Sequence, residues 1–195
     1  MKKLLAAMLC LALLLPCAFS AAEAPAKTRM ATLNVDNVFA IQGILPDGYI
    51  LLPQTADPGR YIAAIVPSEA QSGRVAIVLS IAYDELLSDV KRMNDLDENA
   101  LAQIEATFRE EEDTEISYRE TDYGTKVMVV RLLDETGATQ AVDFYTIYLG
   151  FEVEIILFPY DADGGQLYAA DGTVTEGQIA MAIDFLSDMD FVPAE

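Results

Sequence analysis

The chain has 195 residues, 52% of them hydrophobic, with 32 acidic against 12 basic side chains, a formal net charge of −20 and no histidine. Such a charge excludes nucleic acid and anionic membrane surfaces as partners, because both would repel it. The missing histidine removes His-based general bases, Ser-His and Cys-His pairs, and the commonest ligand for zinc, copper or nickel.

The N-terminus opens with Lys2-Lys3, an apolar run over residues 4–15, Pro16 and the small-residue stretch CAFSAAEA. A basic start, a short apolar run and small residues have the layout of a secretory signal peptide. The run falls short of the ~18 apolar residues that mark a membrane span. Ala18, Ser20, Ala22 and Ala24 place cleavage after residue 20, 22 or 24. Residues 1–22 therefore read as a signal peptide, 23–30 as a flexible leader and 31–193 as a single α+β domain. The Leu-rich run ending at Cys17 also resembles a bacterial lipobox, whose cysteine carries a lipid anchor. Pro16 departs from that pattern, where Gly or Ala is usual. Two destinations stay open: a freely secreted protein, or one anchored outside the cytoplasm through Cys17.

Cys10 and Cys17 are the only cysteines. The mature chain thus forms no internal disulfide, although export would permit one. Thiol catalysis, iron–sulfur clusters and thiolate metal sites are excluded with them. Cleavage removes Lys2 and Lys3 but no acid, leaving 10 basic against 32 acidic residues. That excess favours solubility outside the cell and leaves cationic partners or divalent ions as candidates.

Short strands are predicted in ATLNV and VFAIQGILPDGYILLP, with Pro46-Asp47-Gly48 as a turn. RYIAAIV and RVAIVLSIAY read as a strand pair around PSEAQSG. Over residues 84–109, Leu86, Leu87, Val90, Met93, Leu101, Ile104 and Phe108 fall at helical spacing. MNDLDEN interrupts that stripe with residues that prefer caps, which predicts a break near 94–97. REEED, residues 109–113, reads as a solvated helix end.

Residues 115–120 and 126–133, then 140–149 and 151–159, read as strands. Connections as short as DETGAT and Leu149-Gly150 require antiparallel pairing. Parity puts Met128, Val130 and Leu132 on one face of their strand. Val142, Phe144 and Tyr148, then Phe151, Val153, Ile155 and Leu157, share faces on the next two. Joined, these predict one continuous apolar face. The opposite face is expected to mix Arg131, Asp143, Glu152 and Glu154 with Val127, Val129, Tyr145, Ile147, Ile156 and Phe158. So much apolar surface calls for helical cover or a bound partner. Thr175 and Gln178 then form a capping box before a last helix, with Ile179, Ile183 and Leu186 on one stripe and Pro193 beyond its end.

The motifs ILPDGY (44–49), TKVMVVRLL…AVDFYTIYLGFEVEIILF (125–158) and QIAMAIDFL (178–186) resemble the PsbP/Mog1-like fold group, which includes bacterial envelope lipoproteins. Tyr49 stands where the group's first motif usually has Trp. The resemblance implies an α+β fold: an antiparallel β-sheet meander with helices packed on both faces. It implies no catalytic residue, because the group shares no chemistry with this chain, and the fold alone fixes no function.

No G-x-S-x-G, P-loop or dinucleotide fingerprint is present. Glu152 and Glu154 lie about 7 Å apart along one strand face, within the range of glycosidase carboxylate pairs. Alternating acids on a surface strand are the commoner arrangement. Asp161, Asp163 and Asp171 sit in a calcium-like loop, but Gln166 and Gly172 occupy the positions where an EF-hand needs Gly and Glu. The sequence therefore assigns no catalytic, cofactor-binding or metal-binding residue. It points to a non-enzymatic binding or accessory module at the cell envelope or outside the cell. The alternatives are a carboxylate- or calcium-dependent extracellular hydrolase and a small-ligand carrier.

Overall fold

The computed structural model describes residues 30–52, 55–57, 59–69, 73–109, 113–160 and 172–194. The predicted signal peptide, its predicted cleavage positions, Cys10, Cys17 and the loop holding Asp161, Asp163 and Asp171 lie outside the described residues.

The described residues form two antiparallel sheets. The small one has the order β1 (Met30–Val35), β2 (Phe39–Ile44), β11 (Asp190–Pro193). The large one has the order β3 (Tyr49–Leu51), β5 (Arg60–Pro67), β6 (Val75–Tyr83), β10 (Phe151–Pro159), β9 (Thr139–Tyr148), β8 (Lys126–Leu133), β7 (Thr114–Glu120), and β4 (Thr55–Asp57) pairs with β5. Two α-helices are present among the described residues, α1 (Glu98–Arg109) and α2 (Glu176–Ser187).

This corrects the expected architecture. An α+β meander between helical layers, as in the PsbP/Mog1-like group, does not form: strand takes 49% of the structure and helix 21%. The reason lies at the C-terminus. Beyond α2 the chain turns at Asp188-Met189 and residues 190–193 pair with β2, opposite Gln42, Ile41, Ala40 and Phe39. A second sheet, with α2 beside it, thereby covers the first face of the large sheet. Leu33, Val35, Phe39 and Ile41 from the small sheet meet Ile65, Ile77, Phe144, Val153 and Ile155 from the large one in the main core.

The Pro46-Asp47-Gly48 turn does more than reverse the chain. It carries the chain from β2 in one sheet to β3 in the other, with Gly48 at φ 78°. The amide and hydroxyl of Ser68 both donate to the Gly48 carbonyl, at 2.8 and 3.0 Å, and hold the crossing in place.

Residues 84–97 also depart from expectation. The predicted helix over 84–109 survives only as α1, preceded by two single 3-10 turns, Glu85–Leu87 and Met93–Asp95. Short polar side chains bind nearby amides and compete with helix formation. Asp84 Oδ1 accepts from the Leu86 amide at 2.8 Å, and Asp95 Oδ2 accepts from the Arg92 amide at 3.1 Å. Asp97 Oδ1 accepts from the Ala100 amide at 2.8 Å and starts α1, at the predicted break. Asn94 bonds outward instead: its Oδ1 accepts from the Lys126 amide at 3.0 Å and its Nδ2 donates to the Gly124 carbonyl at 3.1 Å. None of the residues of α1 is buried.

Register revises the faces. Residues paired across strands share a face, and Val129 pairs with Phe144 whereas Met128 pairs with Tyr145. Val127 and Val129 therefore belong to the main core, and Met128 and Val130 to the opposite face. The parity within each strand was legible. The offset between β8 and its neighbour was not.

Candidate functional site

The second face of the large sheet holds two apolar clusters. Over β5, β6 and β10 lie Ala64, Val66, Ala76, Val78, Ile156 and Phe158. Over β8 and β9 lie Met128, Val130, Tyr145 and Ile147, met by Met93 and, with partial burial, by Leu101, Ile104 and Phe108 of α1. Of the apolar residues expected on this face, Tyr145, Ile147, Ile156 and Phe158 lie on it and are buried.

Between the clusters runs a polar seam. Glu154 of β10 stands opposite Ser80 of β6 on one side and Tyr145 of β9 on the other. Asp143 stands opposite Ile156 and Val130, one step diagonally from Glu154, a separation of about 7–8 Å. Glu152 lies two residues along β10 from Glu154, about 7 Å away. Strand alternation puts all three acids on one face.

Asp143 has no solvent exposure, and among the described residues neither of its carboxyl oxygens has a hydrogen-bond partner. Burial, then the Glu154 charge, then the Glu152 charge hold its carboxyl well above the ordinary range. A buried, unpartnered carboxylate is costly, so the group keeps its proton instead. The Tyr145 hydroxyl donates to Glu152 Oε1 at 2.9 Å. Burial and the adjoining Glu152 push that phenol upward as well. Glu152 and Glu154 are half-buried, so the seam reaches solvent along β10.

Among the described residues, no three acidic, cysteine or histidine side chains converge closely enough to hold one metal ion. The acids form a ladder, not a cage. Glu152 and Glu154 do share a strand face, as the sequence implied, while Asp161, Asp163 and Asp171 lie outside the described residues. The buried acid was missed. Its signal was an aspartate inside the apolar run AVDFYTIY, where charge needs a partner or a lost proton.

A second feature lies at one end of the sheet. Leu86 is 91% exposed and Tyr83 47% exposed, with Val38 at 37%. The Tyr83 ring packs edge-on against Phe151 at 5.3 Å, and Phe151 against Phe39 at 5.4 Å, so this rim is continuous with the aromatic core. The turn capped by Asp84 presents Leu86 outward, and Glu85 and Asp89 are exposed beside it.

No helix among the described residues is long and apolar enough to cross a membrane. No family model matches this chain, and no curated protein matches it.

Proposed function

We propose that this chain is an exported, non-enzymatic binding module that docks a protein partner at the cell envelope or outside the cell. The observation that carries this reading is Leu86, 91% exposed at an apolar rim it shares with Tyr83. A large apolar side chain held outward by a capped turn gains little in isolation and much when a partner covers it. The acids Asp84, Glu85 and Asp89 around it favour a partner with an apolar centre and a basic surround. The signal-peptide layout of residues 1–22 supports export.

A photo-reactive side chain at position 86, installed in cells with an intact envelope, tests the proposal. The expected result is a discrete crosslinked species that is absent when the same group sits at position 180 on the exposed side of α2. An uncrosslinked protein at position 86 overturns it.

A carboxylate-dependent hydrolase is the second reading, favoured by Asp143, whose carboxyl is held well above the ordinary range beside Glu154, a pairing of carboxyls that general acid catalysis uses. Turnover in a glycan and peptide screen that is lost in Asp143→Asn would select it over the first.

A further inference from the structure

The large sheet ends at β7, a seven-residue strand of sequence TEISYRE. β8 pairs with its inner side along the whole strand, and among the described residues no strand pairs with its outer side. The other edge of this sheet is carried by β3 and β4, strands of three residues each. A long open edge offers a row of unpaired amides and carbonyls, which folded proteins either guard or use.

The hydrogen-bond alternation identifies the open groups. The Leu133 amide donates to the Asp113 carbonyl at 3.0 Å, and the Thr121 amide donates to the Thr125 carbonyl at 2.9 Å. Odd-numbered residues of β7 therefore turn their backbone toward β8, and Thr114, Ile116, Tyr118 and Glu120 aim theirs outward. Side chains alternate as well. Glu115, Ser117 and Arg119 are exposed, while Ile116 and Tyr118 are partly buried on the face that α1 covers. The Tyr118 hydroxyl donates to Glu105 Oε1 of that helix at 2.8 Å.

We propose that β7 pairs antiparallel with β7 of a second copy of this chain, about a two-fold axis at Ser117. The strand is complementary to its own reverse. With Ser117 facing its own copy, Glu115 faces the partner's Arg119, and Arg119 faces the partner's Glu115. On the other face Ile116 meets the partner's Tyr118, a β-branched and aromatic pairing that stabilises sheets. The same register sets the outward amides and carbonyls of Ile116 against those of the partner's Tyr118, so the new edge closes with backbone bonds. A slip of two residues puts Glu115 opposite Ser117 or Thr121 and leaves its charge unanswered.

Charges on an edge strand commonly keep other strands away. Here their signs are opposite and they stand symmetrically about Ser117, so the edge rejects mismatched strands and accepts its own copy. The net charge of −20 opposes association. At physiological salt that repulsion is screened beyond about 8 Å, and the facing pairs lie within that range.

Sedimentation velocity of the purified protein at about 0.15 M salt, over a roughly hundredfold range of concentration, tests the pairing. The expected result is a reversible monomer–dimer equilibrium. Glu115→Arg alone and Arg119→Glu alone should each weaken it by about tenfold or more, because each sets two like-charge pairs across the axis. An equal mixture of the two variants should restore the dimer, since each supplies the charges the other lacks. A monomer at every concentration, or a dimer indifferent to these reversals, overturns the proposal.

Cysteine substitution reads the register directly, and it decides the matter even where Glu115→Arg disturbs folding beside Arg131 on β8. Ser117→Cys should form a disulfide-linked dimer under mild oxidation, because residues facing at the axis have Cα atoms about 4.5 Å apart. Glu115→Cys, about 13 Å along the strand from its own copy, should form no more than the parent protein does. Equal crosslinking at both positions overturns the register. These variants leave Leu86 unchanged, so photo-crosslinking at position 86 stands or falls independently.

Discussion

The Tyr148 hydroxyl donates to the backbone carbonyl of Phe191 at 2.9 Å, and the two rings lie 5.1 Å apart. This contact ties the large sheet to the closing strand of the small one. Tyr148→Phe keeps the ring but leaves a buried carbonyl without its donor, a cost of about 1–3 kcal/mol. Urea denaturation should show that loss of stability with an unchanged m-value. An unaltered midpoint would mean the carbonyl is satisfied elsewhere.

Asp143 gives the protein a pH dependence of definite sign. Its carboxyl holds a proton more tightly in the folded state than in the unfolded chain. That difference favours folding most below the ordinary carboxyl value of about 4, and the benefit fades as pH rises toward the raised folded-state value. Stability of the parent protein should therefore fall as pH climbs above about 4, and Asp143→Asn should lack this component. Parallel stability curves for the two proteins would assign the effect to other acids.

Gly150 permits the tight turn between β9 and β10. It has φ 80° after Leu149 at φ 51°, the backbone of a two-residue hairpin loop. A Cβ at this position would come within 3.1 Å of Tyr83 Cε2 and 3.2 Å of Ser88 Cα. Gly150→Ala should cost at least ~1–2 kcal/mol from the left-handed backbone alone. It should also displace the Tyr83 ring from Phe151, visible as a change in aromatic chemical shifts.

Thr175 begins α2 with a reciprocal cap: its amide donates to Gln178 Oε1 at 2.7 Å, and its Oγ1 accepts from the Gln178 amide at 3.3 Å. Thr175→Ala should destabilise the protein by about 1 kcal/mol. Thr175→Ser should restore most of it, and an Ala variant as stable as the parent would show that packing of Ile179 and Phe185 alone holds the helix.

The cap at Thr175, the break at Asp97 and the antiparallel strands over residues 115–159 were legible because each depends on neighbours in sequence. Local rules settle such features without the rest of the molecule. Three others depend on partners far along the chain. The strand at 190–193 is four residues ending in Pro193, too short to announce itself, and exists because β2 offers an open edge. The placement of Val129 and Met128 turns on the offset between β8 and β9, which includes a register shift at Leu132/Leu133. Asp143 stood in plain view as a residue, but its isolation emerges only when the register sets apolar Ile156 and Val130 beside it on both neighbouring strands. The same holds for Leu86, which fits an apolar stripe in a helix and is thrown outward once Asp84 caps a single turn.

The third strand of the small sheet has a consequence for how the polypeptide matures. The ring that Phe39 packs against, Phe191, lies 6.3 Å away in space but far along the chain. Contacts of such long sequence separation form slowly, after the intervening loops have closed. Until residues 190–193 are released, β2 keeps a bare edge and the aromatic cluster stays unsealed. The small sheet is therefore complete only once the strand at 190–193 has paired with β2.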